Sequence, residues 1–207
     1  MFDRRVASTI KSDILASTLY AQLAADKPRV SDYSCWRQTY LDAMTTFGWQ
    51  LRTSKAYSHT PDSSAALDVW TLINDVFAET EVIGLPATAR DYVALASPLL
   101  ARISPCECTA STSGQESIAL FSGQFQVSFV STESILHSVM VSFNTTQPLD
   151  DDPLLMCLDP GLIVGAIDVM FFSAELLDIH YEMYRDAFES ALAERKKTLT
   201  ARVGEEP

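Results

Sequence analysis

Proton transfer near neutral pH calls first for histidine, and the chain has three: His59, His137 and His180. A catalytic imidazole needs a side chain that orients it. His59 falls in a polar stretch and His137 at the start of an alternating one. His180 lies beside Asp178 and Glu182, each two positions away. On a helix, residues two apart point roughly 200° apart, so neither acid faces that imidazole. All three read as surface or rim histidines.

The one paired-cysteine motif is Cys106-Glu107-Cys108, with Cys35 and Cys157 isolated elsewhere. Zinc sites space their first pair C-x₂₋₄-C and need two more ligands, so this spacing is tighter than the usual one. Cys157, inside LLMCL, reads as core, and Cys35 as near the apolar face of a helix. Asp150-Asp151-Asp152 offers oxygens to a hard cation but lacks the D-x-D-x-D-G alternation with a distal glutamate, so it reads as a solvated loop. There is no G-x-S-x-G elbow, no G-x-x-x-x-G-K-[ST] and no G-x-G-x-x-G. No catalytic residue, metal ligand or cofactor is therefore expected, and the chain reads as non-enzymatic.

Charge narrows the partners. Twenty-seven acids against 15 bases give a formal charge of −12, which repels phosphate backbones. Nucleic acid is excluded as a partner on that ground. The N-terminus has charges with no apolar region after them, and no window offers a transmembrane helix, so a cytoplasmic location is the default, with signal-less release as the other route. At 207 residues the chain can bury a proper core.

The elements that must position any site then follow from periodicity. Phe2, Val6, Ile10 and Ile14, then Leu15, Leu19 and Leu23, step by four and predict a helix over 2–26. Trp36, Tyr40, Met44 and Phe47 form the seam of a second, capped at Ser31 and stopped by Gly48. WQLRTSKAYSH alternates loosely and reads as a strand or an extended link. Thr60-Pro61 opens a third helix to about Thr80, burying Leu67, Trp70, Ile73 and Phe77. A fourth runs from Pro86 through Arg102.

At about residue 115 the period falls from 3.6 to 2. Phe125, Val127 and Phe129 alternate with Gln124, Gln126 and Ser128. After Ser131–Ser134, Val139, Val141 and Phe143 alternate with Ser138, Met140 and Ser142. With Ser117–Phe121 and a Ser122-Gly123 turn, this predicts a three-stranded antiparallel meander over 115–147. Asp159-Pro160 then opens a C-terminal amphipathic helix over 160–200. Its polar stripe is Asp168, Glu175, Glu182 and Glu189, and Leu177, Tyr181, Tyr184 and Phe188 lie opposite. The expected fold is a single α+β domain, 1–207: helical over 1–104, then the meander, then the long helix.

Two surfaces stand out. From Ser117 to Leu149 the only full charge is Glu133, whereas exposed sheets protect themselves with Lys, Glu or Pro. The face formed by Gln124, Gln126, Ser128, Ser138, Met140 and Ser142 is thus either covered by the chain itself or an assembly surface. The second is PGLIVGAIDVMFFSAELL, where Gly161 and Gly165 make a G-x-x-x-G spacing and Phe171 and Phe172 flank the polar Asp168. An Asp at a bilayer centre costs roughly 2.5–3.5 kcal/mol, and the run is shorter than the ~20 residues a spanning helix needs. A buried helix-packing segment is the expectation.

Function follows as association: a homo-oligomer, or a complex with a protein partner, formed through the uncharged meander and apolar helix faces. The alternative is a membrane-acting, pore-forming toxin or effector that inserts a helix or β-hairpin segment; only in that reading is a membrane a partner.

Overall fold

The computed structural model describes residues 2–3, 5–27, 33–61, 66–80, 102–106, 119–149 and 156–203. Residues 86–101 of the helix expected over 86–102, the Asp150–Asp152 loop and Cys108 lie outside the described residues, and Arg102, expected to end that helix, instead begins a strand. In chain order the elements are α1 (Ser8–Asp26), α2 (Tyr33–Thr46), β1 (Trp49–His59), β2 (Leu67–Asp68), α3 (Val69–Glu79) and β3 (Arg102–Cys106). Then come β4 (Leu120–Val130), β5 (Ile135–Thr145), β6 (Cys157–Leu158), a 3-10 turn (Pro160–Leu162), β7 (Ile163–Leu176) and α4 (Asp178–Val203). The architecture is mixed α+β, with a five-stranded sheet ordered β1-β7-β5-β4-β3 and a two-stranded sheet of β2 and β6. The chain divides into two compact units.

The first unit comprises Thr53–Ser131 and Leu136–Ser173. Its core forms where α3 meets one face of the sheet. Val69, Trp70, Ile73, Val76 and Phe77 step by three and four, so one stripe of α3 is apolar. That stripe packs with Phe125, Val127, Val139, Val141, Phe143, Ile167, Val169 and Phe171, strand residues two apart and hence on one face. Asp68 caps the helix: its carboxylate accepts from Trp70 N–H at 2.9 Å and from the Thr71 hydroxyl at 3.0 Å. The expected start at Thr60-Pro61 is therefore too early, because β2 precedes the helix and pairs Leu67 with Leu158. The four predicted core positions hold, with Trp70, Ile73 and Phe77 buried and Leu67 packed at the margin.

The predicted meander is corrected in one respect. Ser122-Gly123 is no turn; β4 runs through it from Leu120 to Val130, and its other neighbour is β3. Gly123 stands in mid-strand because it faces Phe143 across the ladder, where the ring occupies the place a Cβ would take. Glycine here marks a close approach. The edge strand β3 carries Pro105, a residue sheets accept at an edge.

The larger correction concerns residues 160–176, which form no helix. Asp159 does cap Pro160, its carboxylate accepting from Gly161 N–H at 2.8 Å, but only one 3-10 turn follows. Ile163 is already extended, at φ −76° and ψ 130°. The segment is rich in β-branched and aromatic residues, which favour a pleated surface. Lying between β1 and β5, β7 is buried on both faces from Ile167 to Ala174, apart from Asp168. A strand buried on both faces reads as a continuous apolar run, and periodicity alone cannot tell it from a buried helix. Gly165, at φ +83°, has no heavy atom of the described residues within 4 Å of where a side chain would stand, so among them the G-x-x-x-G spacing makes no close helix contact at this glycine.

The second unit comprises Phe2–Arg52, Thr132–Ile135 and Ala174–Pro207. Helix α1 starts at Ser8, later than expected, and buries the small residues Ala16, Ser17, Ala21 and Ala25 beside Ile14, leaving Leu15 more than half exposed. Helix α2 buries Tyr40 and Met44 as its seam requires. Gly48, at φ +89°, ends that segment and accepts at its carbonyl from Leu177 N–H at 3.0 Å. Phe47, Tyr20 and Phe188 form an aromatic cluster with centroids 4.7–5.1 Å apart. Helix α4 starts at Asp178 and faces inward with Tyr181 and Phe188 and outward with Glu182, Asp186 and Glu189, so only the second half of the predicted stripe lies on it; Asp168 and Glu175 belong to β7.

Polar ties complete this unit. Trp49 Nε1 donates to Ser17 Oγ at 3.0 Å, and Ser17 donates back along α1 to the Asp13 carbonyl at 2.8 Å. Arg52 Nε donates to Glu175 Oε2 at 3.1 Å. Burial pushes the Tyr181 hydroxyl up to about 12; the nearby Asp13 charge adds to this and Arg185 opposes it.

Two predictions come from this packing. Gly123→Val should cost about 1–3 kcal/mol in urea unfolding, because the Phe143 ring must move. Tyr181 keeps its proton in the folded chain to about pH 12, against an ordinary value of 10.0. Its contribution should be complete below pH 10.0 and fall as pH rises toward 12. Over this window the urea midpoint of the native chain should accordingly fall relative to that of Tyr181→Phe, which has no hydroxyl to ionise.

Candidate functional site

The uncharged region of the sequence maps onto one hairpin. β4 and β5 are each 11 residues long and pair antiparallel from Phe121↔Thr145 to Val130↔Leu136. The turn between them, Ser131–Ser134, carries the only full charge, Glu133. Ser134 adopts φ 62°, a left-handed conformation that costs a non-glycine residue energy.

Because side chains alternate along a strand, this register sorts the hairpin into two faces. Phe125↔Val141, Val127↔Val139 and Gly123↔Phe143 make the apolar face, in the core already described. The Phe125 and Phe143 rings lie 5.9 Å apart. His137, opposite Phe129, extends this face and stacks on Phe171 at 6.4 Å. The other face pairs Ser122↔Asn144, Gln124↔Ser142, Gln126↔Met140 and Ser128↔Ser138.

That second face is a ladder of neutral hydrogen bonds. The Ser128 and Ser138 hydroxyls are 2.8 Å apart, Gln126 Nε2 donates to Ser138 Oγ at 3.2 Å, and Ser122 Oγ donates to Asn144 Oδ1 at 2.7 Å. The six residues singled out from sequence do lie together on this face. They differ in accessibility: Gln124, Gln126 and Ser128 are half-buried, whereas Ser138, Met140 and Ser142 are buried. Buried hydroxyls and amides need partners, and the ladder supplies them from within. At its base, Gln147 donates to the Cys157 carbonyl at 3.1 Å and accepts from Asp159 N–H at 2.8 Å, tying the end of β5 to the chain before β7. Sequence reading missed Gln147; its one signal was a glutamine directly after an alternating run.

The other predicted segment is distributed along β7. Phe171 and Phe172 are buried on opposite faces, whereas Gly165 and Asp168 are exposed. Gly161 lies in the 3-10 turn. Leu162 and Val164, around 40% and 47% exposed, make the GLIVG stretch an apolar surface segment. Of the residues first considered for chemistry, His180 is exposed on α4 and His59 half-buried on β1. Cys35 and Cys157 are both exposed, which corrects the core reading of Cys157, where Met156 and Leu158 are the buried neighbours. Cys106 is in β3 opposite Leu120. Among the described residues no three His, Cys, Asp or Glu side chains converge on a metal position, and no helix is long and apolar enough to cross a membrane.

No protein-family model matches the chain, and no curated protein matches it. Among solved structures the chain is similar to the activated Cyt2Ba monomer from Bacillus thuringiensis subsp. israelensis. That likeness has a TM-score of 0.45 at 12% identity, covering 86% of this chain and 97% of the other.

The ladder makes a coupled prediction. Ser138→Ala alone removes the buried hydroxyl on which Ser128 and Gln126 converge and should cost about 1–2 kcal/mol. Adding Ser128→Ala should cost less than the sum of the single changes, as measured by a double-mutant cycle in urea. Strict additivity would mean that the two hydroxyls do not act as a pair.

Proposed function

We propose that the protein is a non-enzymatic, membrane-acting toxin or effector, and that the β4–β5 hairpin is the part that enters the bilayer. One observation carries this reading: two adjacent 11-residue strands hold no formal charge and have one apolar and one neutral-polar face. A transmembrane β-strand needs about 9–11 residues, tilted by about 45°. It must alternate lipid-facing apolar residues with lumen-facing polar ones. Phe125, Val127, Val139, Val141 and Phe143 meet the first demand, and Gln124, Gln126, Ser128, Ser138 and Ser142 the second. A Lys or Arg on the lipid face would cost about 2–4 kcal/mol at the bilayer midplane, and neither strand carries one.

Association belongs to the same proposal. A lone hairpin in hydrocarbon would leave backbone groups unpaired along both edges, so only closure with further strands removes the cost. Copies of the chain supply those strands, which makes the membrane form a homo-oligomer. In the folded monomer Ser138, Met140 and Ser142 are buried, so the neutral face becomes available only when the hairpin leaves its packing. This burial favours the membrane reading over a ready-made docking face for a protein partner.

Liposomes provide the test. The chain should release an encapsulated dye and form oligomers that survive detergent extraction. Fluorophores at single cysteines along 124–129, in a background lacking the native cysteines, should report lipid at odd positions and water at even ones. An absence of leakage from pH 5 to pH 7.5 would overturn the proposal, and leakage without the period of two would remove the hairpin from it.

A further inference from the structure

We infer that Asp13, Arg185 and Asp178 form a latch that holds the hairpin turn, an inference whose functional consequence rests on the membrane reading above. The turn Thr132–Ile135 groups with α1 and α4 in the second unit, whereas β4 and nearly all of β5 belong to the first. Ser134 lines a cavity of about 620 Å³ together with Ser8 and Ser12 of α1 and Asp178, Arg185 and Glu189 of α4. The turn is thus set against the two helices beside a cavity, and the polar fork at its wall ties those helices together on this side.

Arg185 makes that fork. Its Nε and Nη2 donate to Asp13 Oδ1 at 3.3 Å and Oδ2 at 3.0 Å, the two-pronged geometry suited to a planar guanidinium. The same Nη2 donates to Asp178 Oδ1 at 2.7 Å, and the guanidinium carbon stands 5.5 Å from the centre of the Tyr181 ring. Asp13 is in α1 and Asp178 in the first turn of α4, so a single cation joins the two helices beside the turn. Without it, Asp13 of α1 would face Asp178 and Glu189 of α4 across one cavity with no cation between them, and their repulsion would weaken this contact between the helices.

The turn is also primed to leave. Ser134 is held at φ 62°, and Ser131 Oγ is buried without a hydrogen-bond partner among the described residues. Both costs disappear when the turn is released into water. Opening the fork therefore removes the restraint at the one place where the hairpin already stores unfavourable energy.

Hydrogen exchange on the full chain tests the latch without a membrane. In Arg185→Met, amides 132–135 should exchange about tenfold faster, with β4 and β5 unchanged. Asp178→Asn, which removes only the exposed arm, should give a smaller increase and serves as the readout if Arg185→Met does not fold. Arg52→Met, which breaks the Arg52–Glu175 pair in the same unit, should leave the turn at the native rate. The latch is overturned if turn exchange stays within about twofold of native in the latch variants, or if Arg52→Met accelerates it equally. With liposomes, the lag before dye release should shorten in the order native, Asp178→Asn, Arg185→Met. If the native chain releases no dye the membrane reading fails, and exchange still decides the latch; if it releases dye with the same lag in all three, the latch fails alone.

Discussion

Polar groups taken out of water must find partners, and in this protein that constraint acts most sharply between β4 and β5. Ser138 and Ser142 are buried, and Ser128 and Gln126 are half-covered. An unpaired hydroxyl or amide there would cost about 1–3 kcal/mol. Ser138, Ser128 and Gln126 meet the cost by pairing with one another across the ladder. The register that aligns Ser128 with Ser138 is the same one that aligns Val127 with Val139 and seats the Phe143 ring over Gly123. A one-residue slip would bury the glutamines in the apolar core and expose the phenylalanines. Neutral ladder and apolar core thus fix the same alignment from opposite faces.

The remaining elements of the first unit follow from that alignment. With the apolar face of β4 and β5 set, β7 adds Ile167, Val169 and Phe171 to it, and α3 lays one stripe across all three strands. The Phe77 and Phe171 rings meet edge to face at 6.3 Å, joining helix and strand through one contact. Fully burying each such side chain is worth about 1.5–3 kcal/mol, so this face is the main source of the unit's cohesion. In the second unit the sources differ: small residues let α1 sit close to its neighbours, and the aromatic cluster around Phe47 and Phe188 fills the remaining space.

Much of this was legible in the residues, and the exceptions have physical causes. The period-two alternation placed the hairpin and sorted its two faces correctly, because a half-polar strand leaves a clear mark. The seams of α2 and α3 were equally plain. β7 was not, because a strand covered on both sides loses its alternation. Asp159-Pro160 then supplied a true cap whose helix lasts one 3-10 turn, and the heptad spacing of Asp168 and Glu175 with Glu182 and Glu189 bridged two different elements by coincidence. The weight of Ile163, Val164, Ile167, Val169, Phe171 and Phe172 was the signal that favoured a strand. Gly123 misled for the same kind of reason, since a glycine beside serine signals a turn unless a ring on the partner strand occupies the place of its side chain. The Asp13–Arg185 contact joins residues 172 positions apart and has no local signature at all.

Neutrality of the hairpin has a different meaning in each of the two environments proposed for it. In the folded monomer a charge on the ladder face would be buried and unpaired, while a charge on the apolar face would enter the α3 core. In a bilayer the apolar face meets lipid, where charge is again excluded, but the other face would line water, where charge is tolerated. Folding alone therefore accounts for the missing charges on Ser138 and Ser142. It accounts less well for Gln124, which is only half-buried and could carry Lys or Glu at small cost, than for Gln126 and Ser128, which pair with the buried Ser138 hydroxyl. Glutamine at this position suits the proposed insertion, in which the polar face of the strand crosses a membrane interior before any water-filled lumen exists to receive it. On that argument Gln124 of β4, rather than any residue of the more deeply buried β5, is where the chemistry separates the proposed membrane role from a structural one.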